Sequence, residues 1–190
     1  MQAMARLKEF NQEQAIDAAV DCFWMRGYEA TSVRDLAEAM GIGSASLYNA
    51  YGDKRALFVE ALERYANRSM RERIARIEAR HSGREAIGAF LAEIIDRSVK
   101  DTDCKGCLLV NTALDVAPHD AEIGELVTAY LDEIRAFFRR NVPRRLDAEA
   151  VSAHLLGVLL GVRVLARTGA RRKLLESVAQ PALDLLETRQ

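Results

Sequence analysis

Two short runs of helical periodicity, joined by Gly41-Ile42-Gly43, constrain this chain more than any other feature. On one side Val33, Leu36, Ala37 and Met40 recur at i, i+3, i+4 and i+7, the spacing of a single apolar helix face, with Thr31 or Ser32 where an N-cap belongs. On the other, Ser44 or its neighbour opens a run through Leu47 to Tyr51, and Gly52-Asp53 ends it and caps the next helix. A helix over about residues 8 to 26 precedes them, with Ile16, Ala19, Val20 and Phe23 on one face and Gly27 at its end. Three short helices with a tight turn between the second and third form a helix-turn-helix, whose last member fits the roughly 12 Å major groove of DNA.

The rest of the chain continues in helices. A fourth buries Leu57, Phe58, Ala61, Leu62 and Tyr65, then turns polar through Arg68, Arg71, Arg73, Arg76 and Arg80, so its second half is expected to cross solvent. A fifth carries Ile87, Phe90, Leu91, Ile94 and Ile95. A short apolar sixth covers about Cys107 to Val116 and is broken by Pro118. Ile123, Leu126, Val127, Tyr130, Ile134, Phe137 and Phe138 trace a strong stripe on the seventh, which Pro143 terminates. The eighth, about 147 to 168, is apolar over much of its surface, and the ninth carries Leu174, Leu175, Val178, Leu185 and Leu186.

Composition agrees with an all-α protein of about nine helices. The 190 residues include 3 prolines and 11 glycines, while Ala, Leu, Glu and Arg abound. Hydrophobic residues at 49% suffice for a sizeable core. Net charge is −1, and residues 1–58 hold six basic groups against eight acidic ones, so contact with nucleic acid must come from a positioned stripe rather than a basic field. No signal peptide is expected at Met1 to Phe10, and no stretch is expected to approach a membrane span, which leads to a cytoplasmic protein without membrane contact. Cys22, Cys104 and Cys107 fit a reducing compartment, and Cys22 reads as packing.

The run from Gly27 through Thr31, Val33, Leu36 and Ala37, followed by Gly41-Ile42, Ser46-Leu47-Tyr48, Tyr51-Gly52-Asp53-Lys54 and Leu57, resembles the signature of the TetR/AcrR family of transcriptional regulators. The resemblance implies a helix-turn-helix DNA-binding domain over residues 1–55 and a ligand-binding and dimerisation bundle over 56–190. It implies a homodimer that represses transcription on a palindromic, double-stranded operator and is released by a small effector. Thr31, Tyr48 and Lys54 would contact phosphates and orient the protein, and Ser32 would belong to the same DNA-binding surface. Ser44, Ala45 and Asn49 would face base edges, with Asn49 suited to a paired hydrogen bond. Many family members carry a lysine at Ser44 and a histidine near Asn49, and the departure leaves the operator sequence open. Tyr51 reads as core.

Family members usually dimerise through their last two helices. Here Val151, Leu155, Val158, Leu159 and Val162 run beside Gly157 and Gly161, spaced for close helix approach, and Leu175 and Val178 of the ninth are expected in the same interface. A buried intramolecular helix would carry the same pattern. The fourth to eighth helices would enclose an effector site lined by large apolar residues, Phe90, Ile94 and Ile134 among them, which implies an apolar ligand. Tyr65, Asn111, Tyr130 and His154 could supply polar handles or be satisfied core groups.

Cys104-Lys105-Gly106-Cys107 carries chemistry of its own. Cys107 lies near a helix N-terminus beside Lys105, where the dipole and the ammonium favour the thiolate. The Gly-Cys-Leu run resembles a family branch that senses oxidants or electrophiles. Redox sensing by Cys107 and Cys104, half of a metal site, and inert cysteines are the competing readings; His81, His119 and His154 have no ligand spacing to the pair, so no metal is expected. No cofactor is implied. A phosphate loop or nucleophile–base motif is not found, which argues against an enzyme; a small all-helical enzyme and a helical protein-interaction scaffold, neither binding DNA, are the rival classes.

Overall fold

A computed structural model describes residues 12–187, and the expected start of the first helix near residue 8 lies outside them. No strand occurs among the described residues. They divide into two units, one ending at Arg64 and one beginning at Tyr65.

The first unit holds α1 (Gln12–Arg26), α2 (Val33–Met40), α3 (Ser44–Tyr51) and most of α4 (Lys54–Ala66). Its core closes on Phe23, Leu36, Leu47, Leu57 and Phe58. Phe23 meets Phe58 edge-on with ring centroids 4.8 Å apart, and Tyr28 covers Phe58 at 4.7 Å. Of the two candidate caps Ser32 is the one used: Asp35 N–H donates to its Oγ at 3.1 Å while its own N–H donates to Asp35 Oδ2 at 2.9 Å, a reciprocal capping box. Gly41 ends α2 at φ +68°, which an L side chain rarely adopts. Its N–H reaches Glu38 O and that of Ile42 reaches Ala37 O, the paired bonds of a Schellman turn.

The second unit contains α5 (Glu72–Glu78), α6 (Gly83–Lys100), α7 (Leu108–Asp115), α8 (Ala121–Asn141), α9 (Ala148–Arg167) and α10 (Arg172–Leu185). A π turn, Asn67–Arg71, joins α4 to α5 without a break, so the ten α segments among the described residues trace nine rods. Phe90, Phe137 and Phe138 form an aromatic knot with centroid separations of 5.1, 5.6 and 5.4 Å. Buried Asn141 ties three pieces together, accepting from Gly83 N–H at 2.9 Å and donating to Glu78 Oε1 and Phe137 O at 3.0 Å each. Arg140 holds Glu78 through two bonds of 2.7 and 2.8 Å, and keeps that carboxyl below the usual range.

Two expectations need correction. The polar run after Tyr65 does not cross solvent: Met70, Arg73, Ile74 and Ile77 are buried, with α5 packed on α6. Two arginines of that run are drawn onto protein carboxylates, Arg71 to Glu133 and Arg76 to Glu93, each at 2.6 Å. Second, α9 is long and apolar enough to cross a membrane by length and composition, with mean hydropathy 1.6 over an 18-residue window. Only 28% of that window is buried inside the chain.

Candidate nucleic-acid interface and effector cavity

Helix α3 presents Ser44, Ala45, Tyr48 and Asn49 to solvent and turns Leu47 and Tyr51 inward. Tyr48 is 51% exposed, a high value for an aromatic ring with no bulk to bury it. Gly43 is the N-cap of α3 and supplies no side-chain oxygen, so the first-turn N–H groups of this helix are left for an outside acceptor. The neighbouring helices are closed: Ser32 caps α2, and Asp53 Oδ1 accepts from Ala56 N–H at 2.7 Å at the start of α4. Ser32 is itself exposed, and Arg34 stands exposed on the same short helix, a cation to which sequence reasoning gave no role.

Thr31 and Lys54 are placed differently from the phosphate-contact expectation. Thr31 is buried, its hydroxyl donating to Gly27 O at 2.6 Å. Lys54 Nζ donates to Tyr28 O at 3.0 Å and Thr31 O at 3.2 Å and lies 4.2 Å over the Tyr28 ring. Two of its three ammonium protons are committed to the loop before α2, and the third faces a π surface. Both residues therefore shape the loop that carries Ser32.

In the second unit a cavity of about 30 Å³ is walled by Tyr65, Met70, Phe90, Ile94, Cys107 and Ile134 together with Ser69, Arg73 and Arg163. Tyr65 donates its hydroxyl to Cys107 Sγ at 3.6 Å, and burial pushes its phenol far up from the ordinary value. Cys107 is the N-cap of α7, with its thiol free of the helix turn it begins. Cys104, three residues earlier, has φ +50°, an unusual left-handed backbone for a non-glycine residue. Gly106 has φ +71°, a backbone conformation that an L side chain rarely adopts and glycine takes without cost.

Five of the eight residues expected at the effector site line this cavity, namely Tyr65, Phe90, Ile94, Cys107 and Ile134. The other three do not. Asn111 donates its amide to Lys105 O at 3.0 Å, and buried Tyr130 lies under the Arg71 guanidinium at 5.4 Å. His154 is exposed, because α9 turns Val151, Leu155, Leu159 and Val162 into the core. The same geometry corrects the interface expectation: Val151, Leu155, Val162 and Leu175 are buried within the chain and offer nothing to a partner. Gly157, Val158, Gly161 and Val178 remain at or near the surface, beside exposed Val164, Leu174 and Leu185.

Residues 15–61, which hold α1 to α3 and the start of α4, match the model of bacterial regulatory proteins of the tetR family. An uncharacterized HTH-type transcriptional regulator of Bacillus subtilis strain 168, YezE, is 32% identical over 76% of this chain and 74% of its own length. The chain belongs to the TetR family. Across 95% of this chain and 90% of its own, the HTH-type transcriptional repressor ComR of Escherichia coli K12 is 28% identical. Among solved structures, a cysteine mutant of the TetR-family regulator CifR, complexed with 26-bp double-strand operator DNA, superposes with a TM-score of 0.85 at 32% identity. That match covers 96% of this chain and all of the CifR chain. The all-α fold, an N-terminal helix-turn-helix followed by a helical C-terminal domain, is thus the TetR fold. Within it, Arg73 and Arg163 are the functional candidates sequence reasoning missed. The available signal was Arg163 itself, a guanidinium set between Val162 and Val164 in a long apolar helix.

Proposed function

We propose that this TetR-family chain is a transcriptional repressor that binds a palindromic double-stranded operator as a homodimer and leaves it when a small effector occupies the cavity. The observation that carries this reading is α3: an exposed Ser44, Ala45, Tyr48 and Asn49 on a short helix whose N-terminal turn has no cap of its own. Tyr48 and the free N–H groups suit phosphates, and Asn49 suits a base edge. The repressor names of ComR and of BdcR, and the operator bound to CifR, support it by likeness. Residues 1–55 serve the operator and 56–190 the effector and the dimer. The protein works in the cytoplasm and is not an enzyme.

The half-exposed apolar face of α9 and α10, with Gly157 and Gly161 permitting close approach and Val158, Val164, Val178 and Leu174 around them, is the dimer surface in this reading. Two helix-turn-helix units then meet the duplex about one turn, roughly 34 Å, apart. An effector that changes the tilt of α4 shifts the population away from that spacing, and a coupling of about 1–3 kcal/mol changes operator affinity roughly 5- to 150-fold.

A reactive effector is favoured by one specific observation, the position of Cys107 in the cavity wall with a hydrogen-bonded phenol against its sulfur. The test of the whole reading is a mobility shift with DNA upstream of the chain's own gene, at stated salt, with and without apolar compounds and an oxidant. Retarded operator with random duplex left free is the expected result. Equal retardation of both, or of neither, removes the repressor and returns the scaffold reading.

A further inference from the structure

We propose that the cavity of the second unit takes an anionic effector, an organic carboxylate on an apolar body, held between the guanidiniums of Arg73 and Arg163. This rests on the reading of that cavity as the effector site.

Arg73 is 2% and Arg163 8% exposed, and both line the cavity. Burying a guanidinium costs several kcal/mol unless charge and hydrogen bonds compensate it. The compensation here is thin. Arg73 has one carboxylate, Glu93, at 3.3 Å from its Nε, yet that Nε is buried without a hydrogen-bond partner. The same Glu93 oxygen already accepts from Arg76 at 2.6 Å. Arg73 Nη1 donates one of its two protons to Ser69 O at 2.6 Å. Arg163 reaches Ser98 Oγ at 3.4 Å, and among the described residues no carboxylate lies within ion-pair distance of it. Arg97 adds a further positive charge nearby, so that burial and like-charge repulsion pull the Arg73 guanidinium down to about 10.

The wall therefore holds two buried cations against one shared carboxylate. A neutral ligand would seal them under hydrocarbon and leave the deficit in place. Water can solvate them but brings no charge. A carboxylate supplies the missing charge and two acceptor oxygens that match a guanidinium fork. The remaining surface, Met70, Phe90, Ile94 and Ile134, is apolar and suits a hydrocarbon or aromatic body. At about 30 Å³ the cavity has room for only about two waters, so such a body must push the wall outward. Met70, unbranched and buried in the π turn, is the side chain best able to yield.

The full-length chain is titrated with hexanoate and benzoate, and with hexanamide and benzamide as neutral matches of the same shape, reading the melting temperature and calorimetric binding. The carboxylates are expected to raise the melting temperature by a few degrees and the amides to leave it unchanged. Arg163→Met removes an uncompensated buried charge, so the free variant should melt no lower than wild type while its carboxylate affinity falls by about tenfold or more. Should R163M fail to fold, R163K is read instead: it keeps the charge, loses the fork, and should still bind carboxylates more weakly. Amides that act as well as carboxylates, or carboxylates that leave wild type unmoved, overturn the proposal. So does a folded Arg163 variant that binds them undiminished. A parallel operator shift separates the two readings: operator binding without a carboxylate response sinks the anion alone, and carboxylate binding without operator binding sinks the repressor alone.

Discussion

The phenol of Tyr65 donates its hydrogen bond to the thiol sulfur of Cys107, in the wall of a cavity that both residues line. A sulfur held this way keeps one orientation toward the cavity. Cys107→Ser is therefore expected to bind operator as wild type does and to stay bound when a thiol oxidant or electrophile is added. Release of C107S by the same oxidant dose, measured by mobility shift, removes the thiol from the switch.

Tyr65→Phe deletes the donor without opening a large void. Stability should fall by about 1 kcal/mol, the usual net worth of one buried hydrogen bond, as read by the denaturation midpoint. Alkylation of Cys107 in Y65F should also change in rate, because its sulfur loses the partner that fixes it.

Lys54→Met separates two roles of one ammonium. Its bonds to Tyr28 O and Thr31 O make it a staple of the loop, so K54M should lower stability by about 1.5–3 kcal/mol while the salt dependence of operator binding keeps its slope. An unchanged melting temperature with a slope shallower by about one unit would identify a phosphate contact instead.

Tyr48→Ala and Asn49→Ala act on an exposed face, and each should leave stability within about 0.5 kcal/mol of wild type. Y48A should weaken binding to all duplexes alike. N49A should cost about 1–3 kcal/mol on the operator and relax its preference at one position, as competition shifts with mutated operators can show.

Asp35 has its carboxyl lowered from 3.8 to about 2, first by its bonds to Ser32 and then by Arg26 at 2.6 Å. A depressed folded value means the contribution is present above the ordinary carboxylate range and is lost as pH falls from about 4 toward 2. Circular dichroism melts across that window should show the helix-turn-helix weakening on acidification, and Asp35→Asn should flatten the loss. The effect belongs to an exposed group and shrinks with added salt.

The helix-turn-helix was legible because each of its decisions is local. A glycine after Met40, a serine three residues before an aspartate, and Val33, Leu36, Ala37 and Met40 at helical spacing leave little choice of register. Less was legible where a residue's partner lies far away in sequence. Lys54 looks like any surface lysine until the carbonyl of Tyr28 is known to stand beside it. On α9 one face packs on the chain and another is left bare, and both are apolar, so periodicity alone does not separate them: Leu155 and Val158 carry similar hydrophobic signal, yet only Leu155 is fully buried. Arg73 sits in a run of arginines that otherwise reach solvent or surface carboxylates, and only the packing of α5 on α6 makes it different.

The π turn at Asn67–Arg71 places a surplus residue within one uninterrupted rod. One residue of an α-helix is about 100° of azimuth, so absorbing that surplus would re-aim every side chain that follows it in α5 by a fixed increment. Arg73, clasping the carbonyl of Ser69 inside the turn, holds the present setting.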